Sequence, residues 1–108
     1  MKKRLCLHDA QGKFYLTLTE IVRLEAYDNY TVFYMLDGKK HTQSGSLSSY
    51  FARIKEEGCF LRIHRSHAIN LIYVSRIDNS GMVVMMDGSK LPINEKIRPV
   101  IDGSIPSC

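Results

Sequence analysis

FLRIHRSHAIN, residues 60–70, sets two arginines, two histidines and an asparagine into an otherwise apolar run and contains no acid. Leu61 and Ile63 alternate with Arg62 and His64, the period of two that marks a half-buried strand. On one continuous strand, positions 64 and 67 fall on opposite faces. No acid stands between Glu57 and Asp78, and flanking arginines repel a cation, so a metal centre is not expected. Ser66 beside His64 and His67 resembles a nucleophile with a base, but near neighbours in sequence rarely align for that chemistry. The chain has no GxSxG elbow, no phosphate-cradling glycine loop and no paired carboxylates in an apolar setting, so neither catalysis nor a cofactor is expected. What the residue types do suit is a polyanion. Arginine and lysine donate to phosphate and to the guanine edge, asparagine pairs with adenine, and serine hydroxyls donate to phosphate.

Outward from this stretch the chain reads as β-rich. RLCLHD and FYLTL are joined by AQGK, a turn containing Gly12; EIVRLEAY leads through DN into YTVFYML. Asp37-Gly38 forms a two-residue hairpin turn, and KKHTQS returns as a polar edge strand. A helix interrupts at about residues 46–57. There Leu47, Tyr50, Phe51 and Ile54 fall on one helical face, Ser46 caps the start and Gly58 ends it. CFLRIHR, AINLIYVSRI, a turn at DNSG, MVVMM, a second Asp-Gly turn at Asp87-Gly88 and SKLPI complete a second β block. Residues 1–101 read as one domain and residues 102–108 as a frayed polar tail.

The 108 residues carry a net charge of +4. From Gly38 to Ile77 seven basic residues face two acids, so the positive charge is concentrated mid-chain, as on a surface that meets nucleic acid. Three widely spaced cysteines without a CxxC fit a reducing cytoplasm rather than a disulfide framework. No apolar run approaches the roughly 20 residues that span a bilayer, and membrane insertion is not expected.

Taken together, EIVRLEAYDNYTVFYMLDGK, the helix, CFLRIHRSHAINLIYVSRI and MDGSKLPINEK resemble the LytTR family of bacterial response-regulator output domains, which serve two-component systems. The resemblance runs from about Leu16 to Ile101. Its most specific element is the spacing of Phe60, Arg62, His64, Arg65, Ser66 and Asn70. It implies a mainly β, elongated arrangement of small, mostly antiparallel sheets with one short helix. It also implies a transcriptional regulator that reads duplex promoter DNA in successive major grooves with loops, usually at tandem imperfect repeats. A second copy on the DNA and a separate sensor or regulatory protein are the other partners it implies. The family's domain usually follows a phosphoryl-receiver domain, for which 108 residues leave no room. The expectation is therefore a freestanding regulator or an excised output domain.

Carried over by position, the reading loops are Asp28-Asn29-Tyr30, His64-Arg65-Ser66 and Asn94-Glu95-Lys96. Base contacts fall to Asn29, Tyr30, His64, Arg65 and Lys96, with His64 either contacting or orienting. Phosphate contacts fall to Lys39, Lys40, Arg62, Ser66, His67 and Asn94. Asn70 is expected to fix backbone geometry beneath the reading loop. Glu95 and His67 depart from the family pattern, which has basic and aromatic residues there. Glu95 either repels phosphate, at roughly 1 kcal/mol, or accepts from a cytosine amino group. The alternative function is a protein-interaction module that keeps the fold and has lost DNA contact. RNA is a weaker reading, because Tyr27 and Tyr30 flank a loop rather than form a stacking platform.

Overall fold

A computed structural model describes residues 3–57 and 59–104; Gly58, and with it the expected glycine stop of the helix, lies outside them. Strands β1 (Arg4–Asp9) and β2 (Gly12–Thr17) form a hairpin. Strands β3 (Ile21–Tyr27), β4 (Tyr30–Met35) and β5 (Lys40–Ser44) follow, then helix α1 (Leu47–Ile54). Next come β6 (Phe60–His64), β7 (His67–Asn70), β8 (Val74–Ile77), β9 (Val83–Met85) and β10 (Lys90–Leu91). Every pairing is antiparallel, in a five-stranded sheet of order β5-β4-β3-β7-β6, a three-stranded sheet β10-β9-β8 and the first hairpin. The extents, 44 × 33 × 24 Å, are those of the elongated stack of small sheets that the family resemblance implies.

Turn chemistry fixes these hairpins. Gly38 and Gly88 take φ of +88° and +90°, where a side chain is strained. The aspartate before each accepts the N–H two residues on, Asp37 from Lys39 and Asp87 from Ser89, both at 2.9 Å. Ser46 caps α1 by accepting the Ser49 N–H at 3.1 Å.

Both faces of the five-stranded sheet carry cores. On one face Leu24, Phe33, Phe60 and Ala68 pack against Leu5, Leu7 and Leu16 of the hairpin and Leu47 and Ile54 of α1. On the other, Val22, Ile63 and Ile69 meet Val74, Val83, Met85, Leu91 and Ile101. Beta-bulges in β3 and β6 turn residues two apart, Ile21 and Arg23 or Arg62 and His64, to opposite faces of the sheet.

Two parts of the sequence pattern resolve differently. The apolar run AINLIYVSRI is not one strand: it breaks at a 3-10 turn, Leu71–Tyr73, that carries the chain from the five-stranded sheet into the three-stranded one. The Asn70 side chain makes the break by accepting the Ile72 N–H at 3.2 Å. At the C-terminus a second helix, α2 (Arg98–Ser104), runs into the stretch expected to fray and seats Ile101 in the second core. Pro99 and Gly103 argue against a helix by propensity, but proline is tolerated in a first turn.

Candidate nucleic-acid interface

Because β3 is antiparallel to both β4 and β7, the turns β3–β4 and β6–β7 leave the same end of the five-stranded sheet. Tyr27 pairs with Tyr30 across the first turn, where Asp28 takes φ +55° and both tyrosines are exposed. His64 pairs with His67 across the second, and the Ala26 N–H donates to the Ser66 carbonyl at 2.9 Å, joining the two turns. The third loop is hung from β6 by the Asn94 N–H, which donates to the Ile63 carbonyl at 2.6 Å. Asn94 Oδ1 accepts the Lys96 N–H at 3.0 Å, and Ile93 and Ile97 pin the segment to the second core. Three loops remote in sequence thus converge at one end of the molecule. Asn29, Tyr30, Arg65, Asn94 and Lys96 are exposed there.

The second turn is held on several sides. The Ser66 N–H donates to His64 Nδ1 at 3.1 Å, so a neutral His64 ring carries its proton on Nε2, as a donor. Arg62 donates through Nη2 to the Arg65 carbonyl at 2.5 Å, through Nη1 to Ser48 Oγ in α1 at 2.6 Å, and through Nε to the His64 carbonyl at 3.4 Å. Arg65 itself is exposed, and its guanidinium has no hydrogen bond or ion pair among the described residues.

Beneath this turn lies a polar strip that sequence reading missed. Arg23, 8% exposed, donates to Glu25 at 2.7 Å and lies 3.7 Å over the Tyr34 ring. Its signal was an Arg-x-Glu inside an apolar strand. His67 faces this pair, with its ring 5.5 Å from His64 and its Nδ1 buried, 3.8 Å from Glu25 and without a hydrogen bond among the described residues. Burial lowers the His67 pKa below its ordinary value; the attraction of Glu25 is not enough to reverse this, and Arg23 and His64 lower it further. His67, expected on phosphate, is turned inward. It is biased toward the neutral form.

Other expectations meet a different geometry. Lys40 begins β5, with Lys39 just before it, at the opposite end of the sheet from Asn29, on the order of 15 Å along the strands, and the two are not brought together with the loops. Asn70 does fix backbone, donating to the Ile21 carbonyl at 3.0 Å, but at the far end of β7 from the reading turn. His64 and His67 stand on one face, not two, because the chain reverses between them. Among the described residues no three histidine, cysteine or acidic side chains are grouped to hold a metal ion.

The family model described as the LytTr DNA-binding domain matches residues 11–100. The chain belongs to the LytTR family. A solved LytTR structure, the LytTr DNA-binding domain of a protein described as a methyl-accepting/DNA response regulator from Bacillus cereus, superposes with a TM-score of 0.74. The match covers 97% of this chain and 98% of that one at 21% identity, and at that identity it speaks for the fold. A search of curated proteins gave no match. LytTR domains bind DNA, and the three converging loops of this LytTR domain all lie inside the matched residues. No helix among its described residues is long and apolar enough to cross a membrane.

Proposed function

We propose that this LytTR domain is a cytoplasmic, non-catalytic transcriptional regulator that binds specific promoter sequences, reading the major groove with its three converging loops. The observation that carries the reading is Arg65: a guanidinium without a protein partner among the described residues, on a turn whose backbone is tied down. An arginine so presented suits the bidentate contact to guanine O6 and N7. Lys96 reads from the third loop, and Asn29 and Tyr30 from the first. His64 Nε2–H donates to a base or phosphate, while Ser66 and the Asn94 amide nitrogen donate to phosphate. One domain of this size covers a limited stretch of duplex, so two copies occupy tandem imperfect repeats, and a separate sensor or regulatory protein supplies the input. Lys39 and Lys40 stay outside this contact set.

Selection of bound duplexes from a random pool tests it, with wild type, Arg65→Ala and Lys40→Ala in parallel. The wild type enriches a repeated motif. Arg65→Ala blurs one or two positions of it, with a loss of about 1–3 kcal/mol in discrimination, and Lys40→Ala leaves the motif sharp. Failure of the wild type to enrich any motif refutes the reading and favours the interaction-module alternative, which the exposed Glu95 carboxylate would suit.

A further inference from the structure

Arg62 was expected on phosphate, and its guanidinium is engaged elsewhere. We propose that Arg62 is a positioning residue: its fork fixes the Arg65 turn to helix α1 and so sets the specificity of the Arg65 contact. The proposal deepens the functional reading above and rests on it.

The β6 bulge between Arg62 and His64 is the structural origin. It sends Arg62 to the face occupied by Ala68 and α1, and His64 to the face of His67 and Glu25. From there the guanidinium reaches in two directions. Nη1 meets Ser48 Oγ in the first turn of α1 at 2.6 Å, while Nη2 and Nε meet the Arg65 and His64 carbonyls at 2.5 and 3.4 Å. The residue is half-buried: the long Nε bond is partly covered, while the bonds to Ser48 and to the Arg65 carbonyl lie at the surface. A planar fork with fixed N–H directions can hold an oxygen of the helix and two carbonyls of the turn at once; a lysine ammonium on a flexible stem cannot reproduce that span. With the Arg65 and His64 carbonyls held, the Ser66 carbonyl bonded to Ala26 and the Ser66 N–H bonded to His64, the Arg65 backbone has little freedom. Its side chain then meets the base edge at small reorganisation cost, and errors of about an ångström are what such contacts tolerate least.

Arg62→Lys separates the two roles because it keeps the charge. As a positioning residue, Arg62→Lys loses discrimination at the same base positions that Arg65→Ala blurs, by roughly 5- to 150-fold, the equivalent of one bidentate contact. Its affinity for non-specific duplex and its salt slope stay at wild-type values. Arg62→Ala blurs the same positions without lowering the log–log salt slope by the ~0.9 that one lost phosphate contact removes. Ser48→Ala, an exposed change that leaves the charge pattern untouched, blurs them in the same direction to a smaller extent. In the Arg62→Lys background, adding Arg65→Ala costs much less than it does alone. Amide hydrogen exchange at Ser66 in the free protein also quickens in Arg62→Lys, a readout that needs no DNA. Wild-type discrimination in both Arg62→Lys and Ser48→Ala overturns the proposal, as does a uniform loss across all sequences with a reduced salt slope in Arg62→Ala. If Arg65→Ala itself leaves the motif sharp, the functional reading of Arg65 fails first, and the positioning role falls with it. If Arg62→Lys does not fold, Ser48→Ala alone decides.

Discussion

Asn70 offers the sharpest test of how this chain is divided between its sheets. The residue is 2% exposed, and its carboxamide works in both directions. The nitrogen donates to the Ile21 carbonyl at 3.0 Å and the oxygen accepts the Ile72 N–H at 3.2 Å. Asn70→Ala leaves the Ile21 carbonyl unsatisfied beside a fully buried residue, which costs about 1–3 kcal/mol. The Ile72 N–H is partly buried, so its loss resembles removal of a helix cap, about 0.5–2 kcal/mol. The sum, about 1.5–5 kcal/mol, reaches at most the low end of the ~5–15 kcal/mol typical of whole domains, a range that urea unfolding resolves. Asn70→Ser keeps the cap and loses the reach to Ile21, and recovers roughly 1 kcal/mol. Asn70→Asp keeps the cap but sets a buried acceptor against a carbonyl, and at neutral pH it is at least as destabilised as the alanine variant. Urea unfolding of the four proteins gives these differences from shifts in midpoint at constant slope. A loss under about 1 kcal/mol in Asn70→Ala, or an Asn70→Asp protein as stable as wild type, would refute this account of the strand break.

Two further outcomes follow from the same geometry. His67 has a lowered folded-state pKa because of burial, so in acid the unfolded chain takes up the proton first. Its contribution is fully present above the unfolded value near 6.5 and declines as pH falls from there toward the lower folded-state value. Urea midpoints between about pH 7.5 and pH 5 therefore drop in the wild type and drop less in His67→Phe; equal slopes would show that His67 is not the group responsible. Phe33 is fully buried and meets Tyr50 edge-on at 5.2 Å, so Phe33→Ala costs about 3–5 kcal/mol in urea unfolding, and a loss below about 1.5 would mean that the first core collapses to fill the space.

The local elements were legible in the sequence because their causes are local. Asp37-Gly38 and Asp87-Gly88 make their turns wherever the strands go, through positive φ at glycine and a carboxylate that accepts its own loop's N–H. The apolar face and serine cap of α1 have the same standing. The motif from Phe60 to Asn70, together with the segments on either side of it, pointed to the family and gave the loops that carry the candidate site. Hydrophobic period could not show where AINLIYVSRI breaks, since a continuous apolar run reads alike on either side of a sheet change. Asn70 decides that break by bonding Ile21, distant in sequence, and α2 forms against its propensity because Ile101 is buried in the second core.

Site roles divide in the same way. Residue type alone made Arg62, Arg65, His67, Lys39 and Lys40 equivalent candidates for an anion, since each carries or can gain a positive charge. Strand pairing and the β6 bulge separated them: Arg65 to the surface, Arg62 into a strut, His67 against Glu25, and the two lysines to the other end of the sheet. Sequence determined which groups this protein has to offer a polyanion and the fold that carries them. Tertiary structure decided which are free to be offered, because a donor already satisfied by a carbonyl, or buried where its charge is disfavoured, is no longer available to a ligand.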